Sequence, residues 1–256
     1  MQDPLNRTIL LMDIEASGGR LDVEQGIMRR QLYAALKETL RAAAVEADEY
    51  RCEDRGDGVF VLLDAAVPKP RLIRALLHET PMRLDASNRL SSAGTQVRLR
   101  LVLHAGEVAL DEHGAVSADL VAGFRLLDAE PLRAALRESA EPAVLCVSDL
   151  IYQGVVRHAH PGIPPEHFRS FTARGKEGPF QGWLYDRSPA PAPAPPVAEP
   201  DGPAAAAPPP QHGPPQPGHI GSGNFVYGGS PRVRGDMVGG NKIVNVTPEQ
   251  GGGAPR

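Results

Sequence analysis

Two aspartates, Asp13 and Asp57, each stand beside a run of apolar residues that is typical of a β-strand. Asp13 closes the run Thr8–Met12, and Asp57 precedes the run Val59–Leu63. The Asp57-Gly58 pair directly before this second run predicts a hairpin turn, because glycine adopts the positive φ that such turns need. Two strands that deliver aspartates to the same edge of a sheet can hold a divalent cation, which indicates phosphate chemistry.

The elements that must position these aspartates follow from hydrophobic periodicity over residues 1–187. The predicted order is a strand at 8–14, a helix at 22–47, strands at 49–53 and 58–64, a helix from Pro68 to about His78, strands at 97–104 and 107–110, a helix at 119–137, a strand at 143–147, a short helix at 149–155, and strands at 168–173 and 180–186. This order predicts an α+β domain in which helices pack on a mostly antiparallel sheet.

The composition changes abruptly at Ser188. Residues 188–218 consist mostly of proline and alanine, which predicts a disordered, extended linker. Residues 219–256 are rich in glycine and contain two short apolar runs, at 224–227 and 242–246. Two interpretations of this tail stay open: it is disordered, or it orders as a β peptide on a protein partner.

The overall composition restricts the class of protein. A net charge of −4 provides no basic surface, so we expect no nucleic-acid partner. No apolar stretch approaches the length of a membrane span, and the first residues lack the apolar region of a signal peptide. The chain has two cysteines, too few for a disulfide scaffold. We therefore expect a cytoplasmic protein with no membrane association.

Five segments, in order along the chain, form a recognisable pattern. LLMDIEASGG contains Asp13, EDRGDGVFVLL contains Asp57, and RLRLVLHAGEV, LVAGFRLLDA and ARGKEGPFQGWLY follow along the chain. In their order and spacing, residues 8–186 resemble the catalytic homology domain of the class III adenylyl and guanylyl cyclases. The resemblance implies a ferredoxin-like core within the α+β domain. Each residue alone also has a structural interpretation, such as a turn aspartate at 57 or a solvated helix arginine at 125.

The resemblance implies a role for each matching position. Asp13 and Asp57, with the backbone carbonyl of Ile14, would bind two Mg²⁺ or Mn²⁺ ions. Arg125 would stabilise charge at the α-phosphate, and Lys176 would hold the β- and γ-phosphates of a nucleoside triphosphate. The resemblance also implies a head-to-tail homodimer, in which the two halves of each site come from opposite subunits.

The chain departs from the family pattern at positions that recognise the nucleoside. Val121 occupies the place of an asparagine that orients the ribose, and valine cannot form a hydrogen bond. Glu53 occupies a base-recognising place where adenylyl cyclases carry lysine and guanylyl cyclases carry glutamate. A carboxylate accepts hydrogen bonds from guanine, so GTP is the predicted substrate. The second base-recognising place falls near Gly114, which has no side chain.

Three hypotheses on function follow. The chain is a cyclase that converts GTP or another nucleoside triphosphate to a cyclic nucleotide and pyrophosphate. Alternatively, it is a degenerate cyclase domain that binds nucleotide as a sensor without turnover. According to the third hypothesis, the chain is a dimeric signalling scaffold that presents its C-terminal tail to a partner. The retained Asp13, Asp57, Arg125 and Lys176 favour the first hypothesis, and Val121 favours the other two.

Overall fold

The computed structural model describes residues 3–175 and 178–187. Strands and helices follow one another along this part of the chain much as the periodicity predicts. The strands are β1 (Leu5–Ile14), β2 (Tyr50–Asp54), β3 (Gly58–Asp64), β4 (Leu99–Asp111), β5 (Gly114–Val116), β6 (Ala143–Ser148), β7 (Phe168–Gly175) and β8 (Gly178–Tyr185). The helices are α1 (Asp22–Ala42), α2 (Lys69–Asn88), α3 (Ala118–Asp128), α4 (Glu130–Glu138) and α5 (Asp149–Gly154).

The strands form a single mixed sheet in the order β2-β3-β1-β4-β6-β8-β7, with β5 paired to the end of β4. Within the described residues the β4–β6 pair is parallel and every other pair is antiparallel. The central strand β1 pairs with β3 on one side and with β4 on the other. The predicted α+β fold with a mostly antiparallel sheet is therefore confirmed.

Both faces of the sheet are covered by helices. Successive residues of β1 enter different cores, because side chains alternate across a strand. Leu10 and Met12 pack in the core that contains α1, α2 and α5, whereas Ile9 and Leu11 pack in the core with α3 and α4. All four are at most 1% exposed, and burying each contributes about 1.5–3 kcal/mol. The strand that carries Asp13 is thus held from both sides.

The predicted division into elements is wrong at two places. The single helix predicted at 119–137 is two helices, separated at Ala129, whose backbone is extended with ψ 131°. Pro131 lies in the first turn of α4, where its missing N–H costs nothing but where it prevents a continuous helix. The strands predicted at 97–104 and 107–110 are one strand, β4, which continues without a break through Gly106.

The helix predicted to end at His78 extends to Asn88. Pro81 lies inside this helix, and the buried Leu84 continues its apolar face beyond the proline. The first helix is shorter than predicted and ends at Ala42 instead of residue 47, followed by Ala44 at a positive φ of 53°.

The proposed linker at 188–218 and the tail at 219–256 lie outside the described residues, so their boundaries stay predictions. Across residues 3–175 and 178–187, every helix is too short or too polar to cross a membrane.

Candidate active site

Asp13 lies one residue before the end of β1, opposite Gly58 of β3 on one side and Arg100 of β4 on the other. Its side chain is 17% exposed. Gly58 allows β3 to approach closely, because a Cβ at this position would lie 3.0 Å from the backbone oxygen of Met12. The two flanking strands thus place the Asp13 carboxylate at a defined point on the sheet edge.

Asp57 lies in the turn between β2 and β3. The turn closes through a hydrogen bond from Arg55 N to Gly58 O of 2.9 Å, and Gly56 adopts a φ of 82° that favours glycine. Gly56 N also donates to Asp54 Oδ1 at 2.7 Å, an arrangement in which an aspartate side chain supports a turn. The predicted turn is found at this position, but the positive φ belongs to Gly56, whereas Gly58 is the first residue of β3.

Two contacts bring the turn to the end of β1. Ile14 N donates a hydrogen bond to Asp57 O over 3.1 Å, so the peptide that follows Asp13 is tied directly to Asp57. Ser17 Oγ, in a short 3₁₀ turn at Ser17–Gly19, donates to Asp57 Oδ2 over 2.5 Å. The structure therefore brings the two aspartates predicted from sequence to the same edge of the sheet.

Arg100 is the site residue that sequence reasoning missed. Its Nε donates to Asp13 Oδ2 over 3.0 Å, and its Nη2 contacts the same oxygen. Burial raises the pKa of Asp13 above its ordinary value; the Arg100 guanidinium opposes this rise, and the neighbouring Asp57 carboxylate adds to it. In the sequence, Arg98 and Arg100 alternate with apolar residues along the strand predicted at 97–104, and this alternation does not indicate which residue Arg100 contacts.

The donor set at this edge fits a hard divalent cation only in part. Asp13 and Asp57 supply carboxylate oxygens, which Mg²⁺ and Mn²⁺ prefer. The described residues contain no group of three or more His, Cys, Asp or Glu side chains arranged to hold a metal ion. A cation here would take its other ligands from backbone carbonyls, water or phosphate, as Mg²⁺ commonly does. The backbone carbonyl of Ile14 stays a predicted ligand.

Glu53 and Gly114 lie next to each other, although 61 positions separate them in the printed sequence. Glu53 is on β2, and Gly114 begins β5 with a φ of 132°. A Cβ on Gly114 would lie 3.5 Å from Glu53 Oε2. Glu53 Oε1 is buried without a hydrogen-bond partner among the described residues, and Arg51 Nε lies 3.6 Å from it. The two places compared with base-recognising positions therefore face each other.

Helix α3 carries Val121 and Arg125, and its start is anchored to β4. Ser117 Oγ accepts a hydrogen bond from Leu120 N at 3.1 Å and donates to Glu107 O at 2.5 Å. Arg125 lies in the last turn of this helix, with its side chain half-buried. Val121 is 49% exposed. The predicted roles of Arg125 and Val121 are not tested by these contacts.

A cluster of one cation and two rings connects α3 to the turn that carries Asp57. The guanidinium carbon of Arg55 lies 5.4 Å from the ring centre of Phe60 and 4.8 Å from that of Phe124. The two rings are 5.9 Å apart in an edge-to-face arrangement. Phe124 precedes Arg125, so the turn and the helix are held in register with each other.

Lys176 lies outside the described residues. Strands β7 and β8 pair with each other as far as Gly175, which stands opposite Gly178. The predicted closing hairpin is confirmed, while the role of Lys176 stays a prediction.

Comparison with known proteins rests on structure, because the sequence matches no protein-family model and no curated protein. The guanylyl cyclase Cya2 superposes with a TM-score of 0.50 at 16% sequence identity, covering 72% of this chain and 92% of the Cya2 chain. An adenylate/guanylate cyclase/hydrolase from Silicibacter pomeroyi gives a TM-score of 0.49 at 15% identity, covering 73% of this chain and 100% of that one. The guanylate cyclase domain of RhGC from Catenaria anguillulae, in complex with GTP, gives 0.49 at 14% identity, covering 72% and 98%. The likeness to Cya2 shows that the described chain has the fold of the class III adenylyl and guanylyl cyclase catalytic domains, as the motif resemblance predicts.

Proposed function

We propose that this domain is a nucleotidyl cyclase that converts GTP to a cyclic nucleotide and pyrophosphate. In this reaction the ribose 3′-oxygen forms a bond to the α-phosphorus and loses its proton. The bond from that phosphorus to the β-phosphate oxygen breaks, and pyrophosphate leaves. The observation that carries the proposal is the hydrogen bond from Ile14 N to Asp57 O, which joins the two aspartates at one sheet edge.

Asp13, Asp57 and the Ile14 carbonyl would hold two Mg²⁺ or Mn²⁺ ions. When bound, such ions neutralise phosphate charge and favour ionisation of the attacking hydroxyl. Ser17 fixes the Asp57 carboxylate from the side of the 3₁₀ turn. The partial burial of Asp13 strengthens its attraction for any cation that approaches, because less water screens the charge.

Three cationic side chains would receive the triphosphate. Arg125 on α3 would stabilise the charge that develops at the α-phosphate, and Lys176 would hold the β- and γ-phosphates. Arg100 adds a third cation immediately beside Asp13. A guanidinium matches phosphate oxygens in geometry as well as in charge, so its place beside the aspartate supports a polyphosphate substrate.

Glu53 supports guanine as the base. Its buried Oε1 has no hydrogen-bond partner among the described residues and could accept from the N1–H and exocyclic amine of guanine. Adenine offers an acceptor at N1, which a carboxylate does not satisfy. Gly114, beside Glu53, leaves room at this point because it has no side chain.

The proposal includes a head-to-tail homodimer in the cytoplasm. The outward face of α3 presents Ala118 and Val121 to solvent, with Val121 49% exposed. A second copy placed against this face would contribute its aspartate pair to a site completed by Arg125. The C-terminal tail at 219–256 would remain available to a protein partner.

A second candidate function is nucleotide binding without turnover, as a sensor or as a dimeric scaffold that presents the tail. Val121 favours it, because an exposed valine supplies no hydrogen bond to a ribose. Misplacing an attacking group costs on the order of 100-fold in rate, which is enough to suppress turnover.

The experiment that separates these functions uses the full-length protein with Mg²⁺ or Mn²⁺ and each of the four nucleoside triphosphates. Pyrophosphate and cyclic product are measured together. A cyclase releases both from GTP, loses both in Asp57→Asn, and keeps both in Asp64→Asn, which changes an exposed aspartate at the far end of β3. If nucleotide and metal together raise the melting temperature but no product forms, the protein is a sensor. If neither product nor stabilisation is observed, the scaffold function remains.

A further inference from the structure

The Asp13 carboxylate already has a cationic partner within the chain. Asp13 and Arg100 are register partners on the adjacent strands β1 and β4, although they are far apart in sequence. Both Nε and Nη2 of Arg100 contact Oδ2 of Asp13, with the Nε contact at 3.0 Å. The strand pairing fixes both backbones, so this ion pair is part of the folded sheet.

The pair is more enclosed than the comparable ion pair at the other end of β1. The side chains of Arg100 and Asp13 are 15% and 17% exposed, whereas those of Arg7 and Asp64 are 23% and 50% exposed. Water screens an enclosed pair weakly, so its charges interact strongly with each other and with any third charge. A divalent cation at Asp13 would therefore interact strongly with the guanidinium beside it.

Asp13 and Asp57 differ in the kind of group that holds them. Ser17 holds Asp57 through a neutral hydroxyl, which orients the carboxylate and leaves its negative charge in place. Arg100 holds Asp13 with a full positive charge. A cation that binds Asp13 must share one carboxylate with the guanidinium, and the two positive charges repel each other.

We propose that Arg100 acts as an internal counter-ion that competes with divalent cations for Asp13, so that the site binds free cations weakly until the guanidinium moves to another anion. This inference rests on the proposed function only for the identity of that anion, the polyphosphate of the substrate. The competition itself requires neither nucleotide nor turnover. It would couple occupancy of the metal site to arrival of the substrate.

The test measures binding of Mn²⁺ alone to the full-length protein by isothermal titration calorimetry. Removing the charge in Arg100→Gln is expected to tighten Mn²⁺ binding by about 10-fold, the scale on which changes beside a metal ligand act. Arg7→Gln, which removes the matched arginine of the pair with Asp64, is expected to leave the affinity unchanged. Adding Asp13→Asn to Arg100→Gln is expected to abolish the gain.

Unchanged or weaker Mn²⁺ binding by folded Arg100→Gln would overturn the proposal, as would an equal gain in Arg7→Gln. If Arg100→Gln does not fold, the wild-type protein provides a second measurement. Its Arg100 Nε–H nuclear magnetic resonance signal should shift on saturation with Mg²⁺, and a signal that stays in place at saturation would refute the competition. A protein that makes no cyclic product but shows the Arg100→Gln gain supports this inference while contradicting the cyclase proposal.

Discussion

Ser17 Oγ donates a hydrogen bond of 2.5 Å to Asp57 Oδ2, joining the loop after β1 to the turn before β3. Ser17 is 5% exposed, whereas Asp57 is exposed. A buried hydroxyl thus orients an exposed carboxylate that the turn alone would leave mobile. The bond, together with that from Ile14 N to Asp57 O, fixes both the side chain and the backbone of Asp57.

Ser17→Ala should therefore weaken metal binding. We expect Mn²⁺ affinity to fall by roughly 10-fold, because an oriented carboxylate loses less conformational freedom when it binds a cation. The direction is opposite to that expected for Arg100→Gln, since the hydroxyl is neutral and the guanidinium is charged. Calorimetry with Mn²⁺ measures the change. Ser92→Ala removes a hydroxyl from the remote 3₁₀ turn at Ala93–Thr95 and serves as the control; equal affinities for Ser17→Ala and wild type would contradict the role of Ser17.

Val121→Asn should increase turnover. An asparagine can hydrogen-bond a ribose hydroxyl, and correct placement of an attacking group is worth about 100-fold in rate. Because Val121 is 49% exposed, we expect the free energy of unfolding to change by no more than about 0.5 kcal/mol. The measurement is the rate of cyclic product formation from GTP. Val116→Asn, at a similarly exposed valine on β5, is the control and should leave the rate unchanged. An unaltered rate in Val121→Asn would show that this position does not reach the ribose.

Arg55→Gln should destabilise the domain by about 1 kcal/mol. The substitution removes the cation that lies over both Phe60 and Phe124, and each such contact at an exposed site contributes about 0.5–1 kcal/mol. Urea unfolding followed by circular dichroism measures the loss. Arg41→Gln removes an exposed arginine paired with Glu38 and should cost less than about 0.5 kcal/mol. If the two variants lose the same stability, the rings do not hold the turn.

His104 should make the free energy of unfolding decrease as the pH is lowered below about 6.5. This residue is 8% exposed, and neither ring nitrogen has a hydrogen-bond partner among residues 3–175 and 178–187. Burial lowers the pKa of His104 below 6.5, although the Asp119 carboxylate partly opposes the shift. The unfolded chain therefore binds the proton more readily, and the stability present above pH 6.5 is lost as the pH falls towards the lower folded pKa.

The slope of the free energy of unfolding against pH measures this effect. One group contributes up to about 1.4 kcal/mol per pH unit. His104→Leu keeps an apolar side chain in the core and should remove the His104 contribution between pH 7.5 and pH 5.5. A variant whose slope equals that of the wild type would assign the acid sensitivity to other groups.

The sequence predicted those parts of the structure that depend on local pattern. The continuous apolar run of β3 and the Gly56-Asp57-Gly58 turn are local features, and both are found where they were predicted. The break at Ala129 was missed because the apolar spacing continues from α3 into α4, although Pro131 marks it. Proline is common in the first turn of a helix, so Pro131 indicates that a new helix begins there even though the apolar spacing continues.

The sequence analysis predicted the two carboxylates, Asp13 and Asp57, but not the arginine that contacts Asp13. Arg98 and Arg100 looked alike in sequence, as the polar residues of an alternating strand. In the structure Arg98 donates to the backbone oxygens of Leu136, in the last turn of α4, and of Ser139, which follows it, whereas Arg100 contacts Asp13. The difference depends on strand order and register, which place β1 beside β4 and which no local pattern specifies.

The position of β1 between β3 and β4 also determines how long the site keeps its shape. The amide of Ile14, which bonds Asp57 O, belongs to the strand that is flanked on both sides, so its hydrogen should exchange with solvent at a rate close to that of global unfolding. The two aspartates would then separate only when the whole sheet opens. The arrangement of the two aspartates should therefore persist for as long as the domain stays folded.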